Sequence, residues 1–323
     1  MSDTPNPKSP NPFLHRLKNH RLVINIQRFL RSKTPWGVEG MTLYDVLRFF
    51  GLGLINGSVS IRAASISFRL LLAFFPAMIL LLSVLPHTPL EPDAVLDALL
   101  LFFPGETVSL FELTVSDLLE KSHGSVLSIG FVLTVVYASN SVNAILAGFN
   151  ASYLLDKKAN AFIYSLLSLL LLVILVFMLG VAVLLIGFSG QALTWVSSNG
   201  WLPGGLVPWL NAARWTLSLI LVYFSVSLLY HFGNSERDKW RTFTPGATMT
   251  TLLIVFLSLG FGYFIMYLDS FNRLYGSLGT FLLLLVWINA NSSILLLGFE
   301  FNVSIHKARN EARSNLQTKS KTT

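Results

Sequence analysis

Six long apolar stretches run along the chain, separated by charged or turn-forming residues. A helix needs about 20 mostly apolar residues to cross the hydrocarbon core of a membrane. The pattern therefore predicts six membrane-spanning helices, near residues 64–86, 126–148, 163–189, 212–232, 246–268 and 278–305. The third stretch is the clearest, because the segment from Ile163 to Phe188 contains no ionisable residue.

The composition indicates the same class of protein. Of the 323 residues, 53% are apolar and only 12% are charged, whereas globular proteins have about 25% charged residues. A soluble protein with this composition would have a mostly apolar surface. We therefore predict an all-α, polytopic membrane protein, with a six-helix transmembrane bundle and interfacial amphipathic helices. The chain has no cysteine, which excludes disulfides and thiolate metal sites.

The same pattern divides the chain into three regions. Residues 1–40 form a basic cytoplasmic arm, 41–305 the six-span membrane domain with an acidic outer loop at 87–125, and 306–323 a basic cytoplasmic tail. No cleavable signal peptide is expected, because the first forty residues lack an apolar core segment. Residues 13–31 have the pattern of a basic amphipathic helix. The segment from Tyr44 to Ala63 is predicted to be an interfacial or partly re-entrant element, broken by glycines.

Charge asymmetry predicts the orientation of these spans. Nineteen of the 23 Lys and Arg residues fall in the N-terminal segment, the tail and the connections after the second and fourth spans. Seven of the sixteen acidic residues lie in the loop 87–125. By the positive-inside rule, both termini are cytoplasmic and the acidic loop faces outward. The net charge of +7 is thus a signal of topology, and we expect no nucleic-acid partner because no base-reading motif accompanies it.

The sequence contains none of the common motifs for a metal site, a nucleotide-binding site or a catalytic nucleophile. The six histidines are scattered without metal-ligand spacing, and there is no phosphate-binding loop, nucleophile elbow or dinucleotide fingerprint. We therefore expect no metal centre, no cofactor and no enzymatic activity.

Two charged residues fall clearly inside predicted spans. Arg69 lies in the first span and Glu300 in the sixth, each about five residues from the cytoplasmic end and so about 8 Å deep. They could pair with each other, because buried charges in membranes are costly. Alternatively, each extends separately to the inner headgroups, or they take part in binding a substrate.

Polar side chains cluster in the second and sixth spans. Hydrogen bonds between helices would account for them, and a polar path along a cavity is the competing interpretation. The candidate intramembrane polar site consists of Arg69, Asn140, Asn143, Asn291, Glu300 and Asn302.

Two sets of segments match a known pattern. Ala63 to Phe68, leading to Leu72 to Pro76, resembles the start of the first span in the YihY/BrkB family of bacterial membrane proteins. Tyr275 to Gly279, then Trp287, then Leu297 to Asn302, is similar to its Y-G-S-L-G, W and G-x-E-x-N pattern. The positions that match the family motifs are Pro76, Tyr275, Gly276, Gly279, Trp287 and Gly298. Among the departures, Asn140 stands where related chains often have Arg.

The resemblance implies a six-span protein of the bacterial inner membrane with cytoplasmic termini. Family members have carried a ribonuclease label and a virulence label, and some are suspected of moving lipids. Our leading hypothesis is a transporter or flippase-like protein for a lipid or amphiphile, with membrane lipids as partners. The alternative is a scaffold that recruits envelope proteins, and an enzyme ranks third. A cavity open to lipid and lined by Asn140, Asn143, Asn291 and Glu300 would favour transport, whereas a solid bundle would favour the scaffold. The oligomeric state is left open.

Overall fold

A computed structural model describes residues 42–84, 124–155, 161–198, 206–234, 243–266 and 277–321. Within these ranges the chain forms helices and no strands. The helices are α1 (Leu43–Asn56), α2 (Val59–Val84), α3 (Gly124–Asn150), α4 (Ala161–Ser198), α5 (Val207–Gly233), α6 (Pro245–Met266) and α7 (Ser277–Lys321). Six of them, α2 to α7, are long and apolar enough to cross a membrane. The predicted all-α, six-span fold is confirmed.

Several boundaries differ from the prediction. The first span begins at Val59 instead of residue 64 and the fourth at Val207 instead of 212, while α4 and α7 continue to Ser198 and Lys321, beyond the predicted ends at 189 and 305. The expected interfacial element before the first span is helical: α1 continues through its glycines to Asn56, and a turn at Gly57 and Ser58 leads directly into α2. Ser58 adopts a left-handed backbone conformation, with φ of 48°. As a consequence, Arg62 lies inside a membrane-spanning helix. The helices expected at 13–31 and within the loop 87–125 lie outside the described residues.

The chain divides into two compact units, Leu54–Asn302 and a smaller one that combines residues 1–53 with 303–323. In the smaller unit, Thr42 and Asp45 form a reciprocal cap at the start of α1. The Thr42 hydroxyl accepts a hydrogen bond from the Asp45 backbone N–H at 3.3 Å. In return, the Asp45 carboxylate accepts one from the Thr42 backbone N–H at 3.3 Å and one from the Thr42 hydroxyl at 2.7 Å. This arrangement explains why the helix begins at Leu43, since it satisfies N–H groups that have no partner within the helix.

In the larger unit, neighbouring helices along the chain pack against one another. α2 packs on α3, α3 on α4, α4 on α5 and α5 on α6, while α3 also contacts α5. α7 meets α2 through an apolar cluster of Leu71, Leu284 and Ile288, against which Trp287 packs. The ring of Phe299 on α7 stacks on that of Phe149 on α3, with centroids 4.3 Å apart.

A very close approach of α5, α6 and α7 depends on Gly298. The hydroxyl of Tyr230 on α5 donates to the Leu295 carbonyl of α7 at 2.7 Å and lies 2.5 Å from the Thr250 hydroxyl of α6. A Cβ at position 298 would overlap both hydroxyl oxygens. Small residues allow this kind of backbone approach between membrane helices.

We expect Gly298→Ala to lower the thermal unfolding midpoint of the detergent-purified protein, because overfilling a packed contact costs about 1–3 kcal/mol. Gly262→Ala is the matched control, since Gly262 lies inside α6, four residues before its end, with open space where its Cβ would be. It should be neutral or slightly stabilising, because Ala favours a helix over Gly by about 1 kcal/mol. Equal midpoints for the two variants would contradict this account of the contact.

Candidate functional site

Glu300 is a fully buried carboxylate at the meeting point of α2, α3 and α7. Its Oε1 accepts a hydrogen bond from Nη2 of Arg62 at 2.5 Å, and Oε2 accepts one from the Ser152 hydroxyl at 2.8 Å. Arg62 also donates from Nη1 to the Gly148 carbonyl at 2.7 Å. The side chain of Arg62 is 9% exposed and that of Glu300 is 0% exposed. This is a buried, hydrogen-bonded ion pair that connects the start of α2 to the end of α3 and to α7.

The structure pairs Glu300 with Arg62 and not with Arg69, whose pairing with Glu300 was one of the alternatives that the sequence left open. The reason is the early start of α2, which places Arg62 within the first turn of the helix. Arg69 follows seven residues later, about 10 Å further along the axis. Its side chain is exposed, and its guanidinium makes no hydrogen bond or ion pair with the described residues.

Sequence reasoning did not identify Arg62 and Ser152 as site residues, because both fall outside the predicted spans, in polar connections. A signal was nevertheless present. Arg62, Ser65 and Arg69 are spaced by three and four residues, which places them on one face of a helix.

That face of α2 borders an open groove of about 280 Å³ between α2 and α3. Arg62, Ser65 and Arg69 line it from α2. From α3 and the residue after it, the lining consists of Asn143, Ala144, Ala147, Gly148 and Ala151. Most of these residues are small, so they leave space beside the polar groups.

The charges in this groove are unequal. The charge of Arg62 is balanced by Glu300, whereas Arg69 has no carboxylate partner within the described residues. In addition, Nε of Arg62 is buried and has no hydrogen-bond partner in the described part of the chain. The groove therefore carries one positive charge, that of Arg69, without a counter-charge among the described residues.

The other asparagines predicted for a polar site do not meet at one place. Asn143 lines the groove, whereas Asn140 is exposed on α3. Asn291 donates to the Trp287 carbonyl of its own helix at 2.8 Å.

Asn302 caps the start of α6. Its Oδ1 accepts from the Gly246 backbone N–H at 2.7 Å, and its Nδ2 donates to the Thr244 hydroxyl at 3.0 Å. That hydroxyl in turn accepts from the Ala247 N–H at 3.2 Å. Both N–H groups belong to the first turn, where a helix offers them no partner.

Three of the remaining motif positions lie in described helices, where they have a place in the packing. Pro76 lies inside α2, Gly279 is buried near the start of α7, and Trp287 packs on the apolar cluster between these two helices. Tyr275 and Gly276 lie outside the described residues. Across the described ranges, no group of three or more His, Asp or Glu side chains is placed to hold a metal ion.

A family model described as "Virulence factor BrkB" matches residues 54–323. The chain belongs to this family. It is 28% identical over 250 residues to the putative ribonuclease-like protein YfkH of Bacillus subtilis, covering 77% of this chain and 90% of YfkH. A UPF0761 membrane protein of Laribacter hongkongensis is 26% identical over 254 residues, 75% of this chain and 57% of that protein.

A second UPF0761 membrane protein, from Tolumonas auensis, is 30% identical over 138 residues. The match covers 39% of this chain and 42% of that protein, so less than half of its length is spanned. No solved structure matches the chain significantly. The comparisons thus confirm the family that the sequence motifs suggest. They also confirm that the chain is an integral membrane protein of that family.

The ion pair predicts a coupled effect on stability. Arg62→Leu or Glu300→Leu alone should lower the thermal midpoint or the folded yield in detergent strongly, because breaking a buried pair costs about 3–5 kcal/mol. The double Leu variant should recover part of this loss, since no charge remains without a partner.

The matched control uses Arg69, which is not bonded to Glu300. Effects of Arg69→Leu and Glu300→Leu should simply add. Additive losses for Arg62 and Glu300 would show instead that these two residues are not coupled.

Proposed function

We propose that this protein is a transporter or flippase-like protein that moves a lipid or other amphiphile across the bacterial inner membrane. The observation that carries this proposal is the groove between α2 and α3, in which the side chains of Arg62, Ser65, Arg69 and Asn143 lie among small residues on a membrane-spanning surface. Ionisable groups in spans are costly, so they usually mark a pathway or a binding site.

Apolar side chains beside the groove support this proposal. Ile61 is 73% exposed, Phe68 60% and Leu72 39%, all on α2. In a six-span membrane protein such side chains are suited to contact with lipid. An amphiphile could therefore place its polar headgroup in the groove while its apolar chains stay in the bilayer.

The groove also extends far enough to shorten the apolar barrier. Arg69 lies ten residues after Val59, which corresponds to about 15 Å along the helix. The hydrocarbon core is about 30 Å thick. With Val59 placed at the edge of that core, the polar groups of α2 would reach about halfway across it. A headgroup moving along them would exchange water for fixed hydrogen-bond donors.

We also propose that the protein is not a nuclease, although one relative carries a ribonuclease-like name. Cleavage of a phosphodiester normally uses a metal ion or a positioned acid and base. Glu300 does not suit such a role, because it is fully buried and both its oxygens are bonded to Arg62 and Ser152.

We propose further that both termini face the cytoplasm, in accord with the distribution of basic residues. Reporter fusions after residues 158, 238 and 323 should read as cytoplasmic, and fusions after 110 and 200 as periplasmic. A periplasmic signal after residue 323 would contradict this orientation, because the tail beyond the sixth span carries five basic residues.

Reconstitution in liposomes tests transport directly. We expect the purified protein to accelerate the exchange of fluorescent lipids between leaflets, measured by chemical quenching of the outer leaflet, with or without an imposed proton gradient. Asn143→Leu should slow the exchange by about three- to tenfold, the loss expected for one hydrogen bond.

Asn291→Leu is the matched control for this assay. Asn291 bonds within its own helix and does not line the groove, so this variant should keep the wild-type rate. Failure of the wild-type protein to exceed empty liposomes under both conditions would refute the transport proposal and favour the scaffold.

A further inference from the structure

We propose that the groove between α2 and α3 binds the phosphate group of an anionic phospholipid, with the guanidinium of Arg69 as its direct contact. This inference rests on the proposed function and names the class of substrate that the same groove accepts.

Charge is the first reason. Arg62 is neutralised by Glu300 at 2.5 Å, so among the described residues the groove keeps one uncompensated positive charge, that of Arg69. A charge within a membrane span is costly when it has no counter-charge. A headgroup with one negative charge would balance it, whereas a zwitterionic headgroup would bring an additional positive charge into the groove.

Hydrogen-bonding geometry is the second reason. A guanidinium presents parallel N–H donors that match two oxygens of one phosphate. The other polar side chains of the lining, Ser65 and Asn143, can also donate hydrogen bonds. The groove thus offers donors in excess of acceptors, as an anion requires.

Depth and size favour a lipid over a soluble anion. Arg69 lies about 15 Å from the start of α2, next to the exposed apolar side chains of Phe68 and Leu72. A phospholipid brings its own acyl chains to cover these side chains, whereas free phosphate would leave them bare. The groove volume of about 280 Å³ is at the low end for a ligand pocket, so it suits a headgroup whose chains remain outside.

The inference can be tested by binding alone, without transport. The full-length protein in uncharged detergent would be titrated with phosphatidylglycerol, phosphatidylcholine or inorganic phosphate, and bound lipid measured by native mass spectrometry. We expect phosphatidylglycerol to bind about tenfold or more tightly than phosphatidylcholine, the difference made by one charge-assisted contact. Inorganic phosphate should not displace it.

Variants assign this preference to Arg69. Arg69→Gln should abolish it, and Arg69→Lys, which keeps the charge but not the two-pronged geometry, should retain only part of it. Arg214→Gln is the matched control, because Arg214 is also an arginine inside a membrane-spanning helix, but it does not line the groove. It should preserve the full preference.

Three results would overturn the inference: equal binding of the two lipids, an unchanged preference in Arg69→Gln, or displacement by inorganic phosphate, which would identify a site for soluble anions. If Arg69→Gln does not fold, Arg69→Lys must still show a reduced preference, and a full one would refute the proposal. Lipid exchange in liposomes without any charge preference would refute this inference alone. Selective binding without exchange would refute transport and support the site.

Discussion

Glu300 has no exposed surface, and its charge is balanced by Arg62 from a different helix. A carboxylate without a partner in such surroundings costs several kcal/mol, so the contact constrains where α2 and α7 lie along each other. The same arginine reaches the Gly148 carbonyl, and the same carboxylate accepts from Ser152. The positions of three helices, and with them the width of the neighbouring groove, therefore depend on one pair of charges.

The order of residues 298, 300 and 302 in α7 follows from helical geometry. Successive residues turn by about 100°, so position 300 faces almost opposite to 298, while 302 returns to nearly the same side. Gly298 and Asn302 accordingly contact α6, where one permits close packing and the other caps the first turn. Glu300 faces α2 and α3 instead. This short motif thus positions two groups of helices with three residues of different chemistry.

Much of the fold could be predicted from the sequence, because long apolar stretches are a direct consequence of crossing a bilayer. The partner of Glu300 could not. Arg62 follows the polar residues around Ser58, and an arginine there fits a connection as well as the first turn of a helix. The choice between Arg62 and Arg69 depends on the axial position of α7, which packing contacts such as Phe149 on Phe299 determine. The role of Asn302 likewise depends on the place where α6 begins, at Pro245.

Pro76 inside α2 divides this helix into two parts with different mechanical properties. Its ring has no N–H to bond to the Leu72 carbonyl one turn earlier, so bending costs less there than elsewhere along the helix. The part before Pro76 is held by the contacts of Arg62 with Gly148 and Glu300. Any tilt of the later part would pivot about two turns beyond Arg69. It would move the far end of the helix, while the end with the charges stays in place.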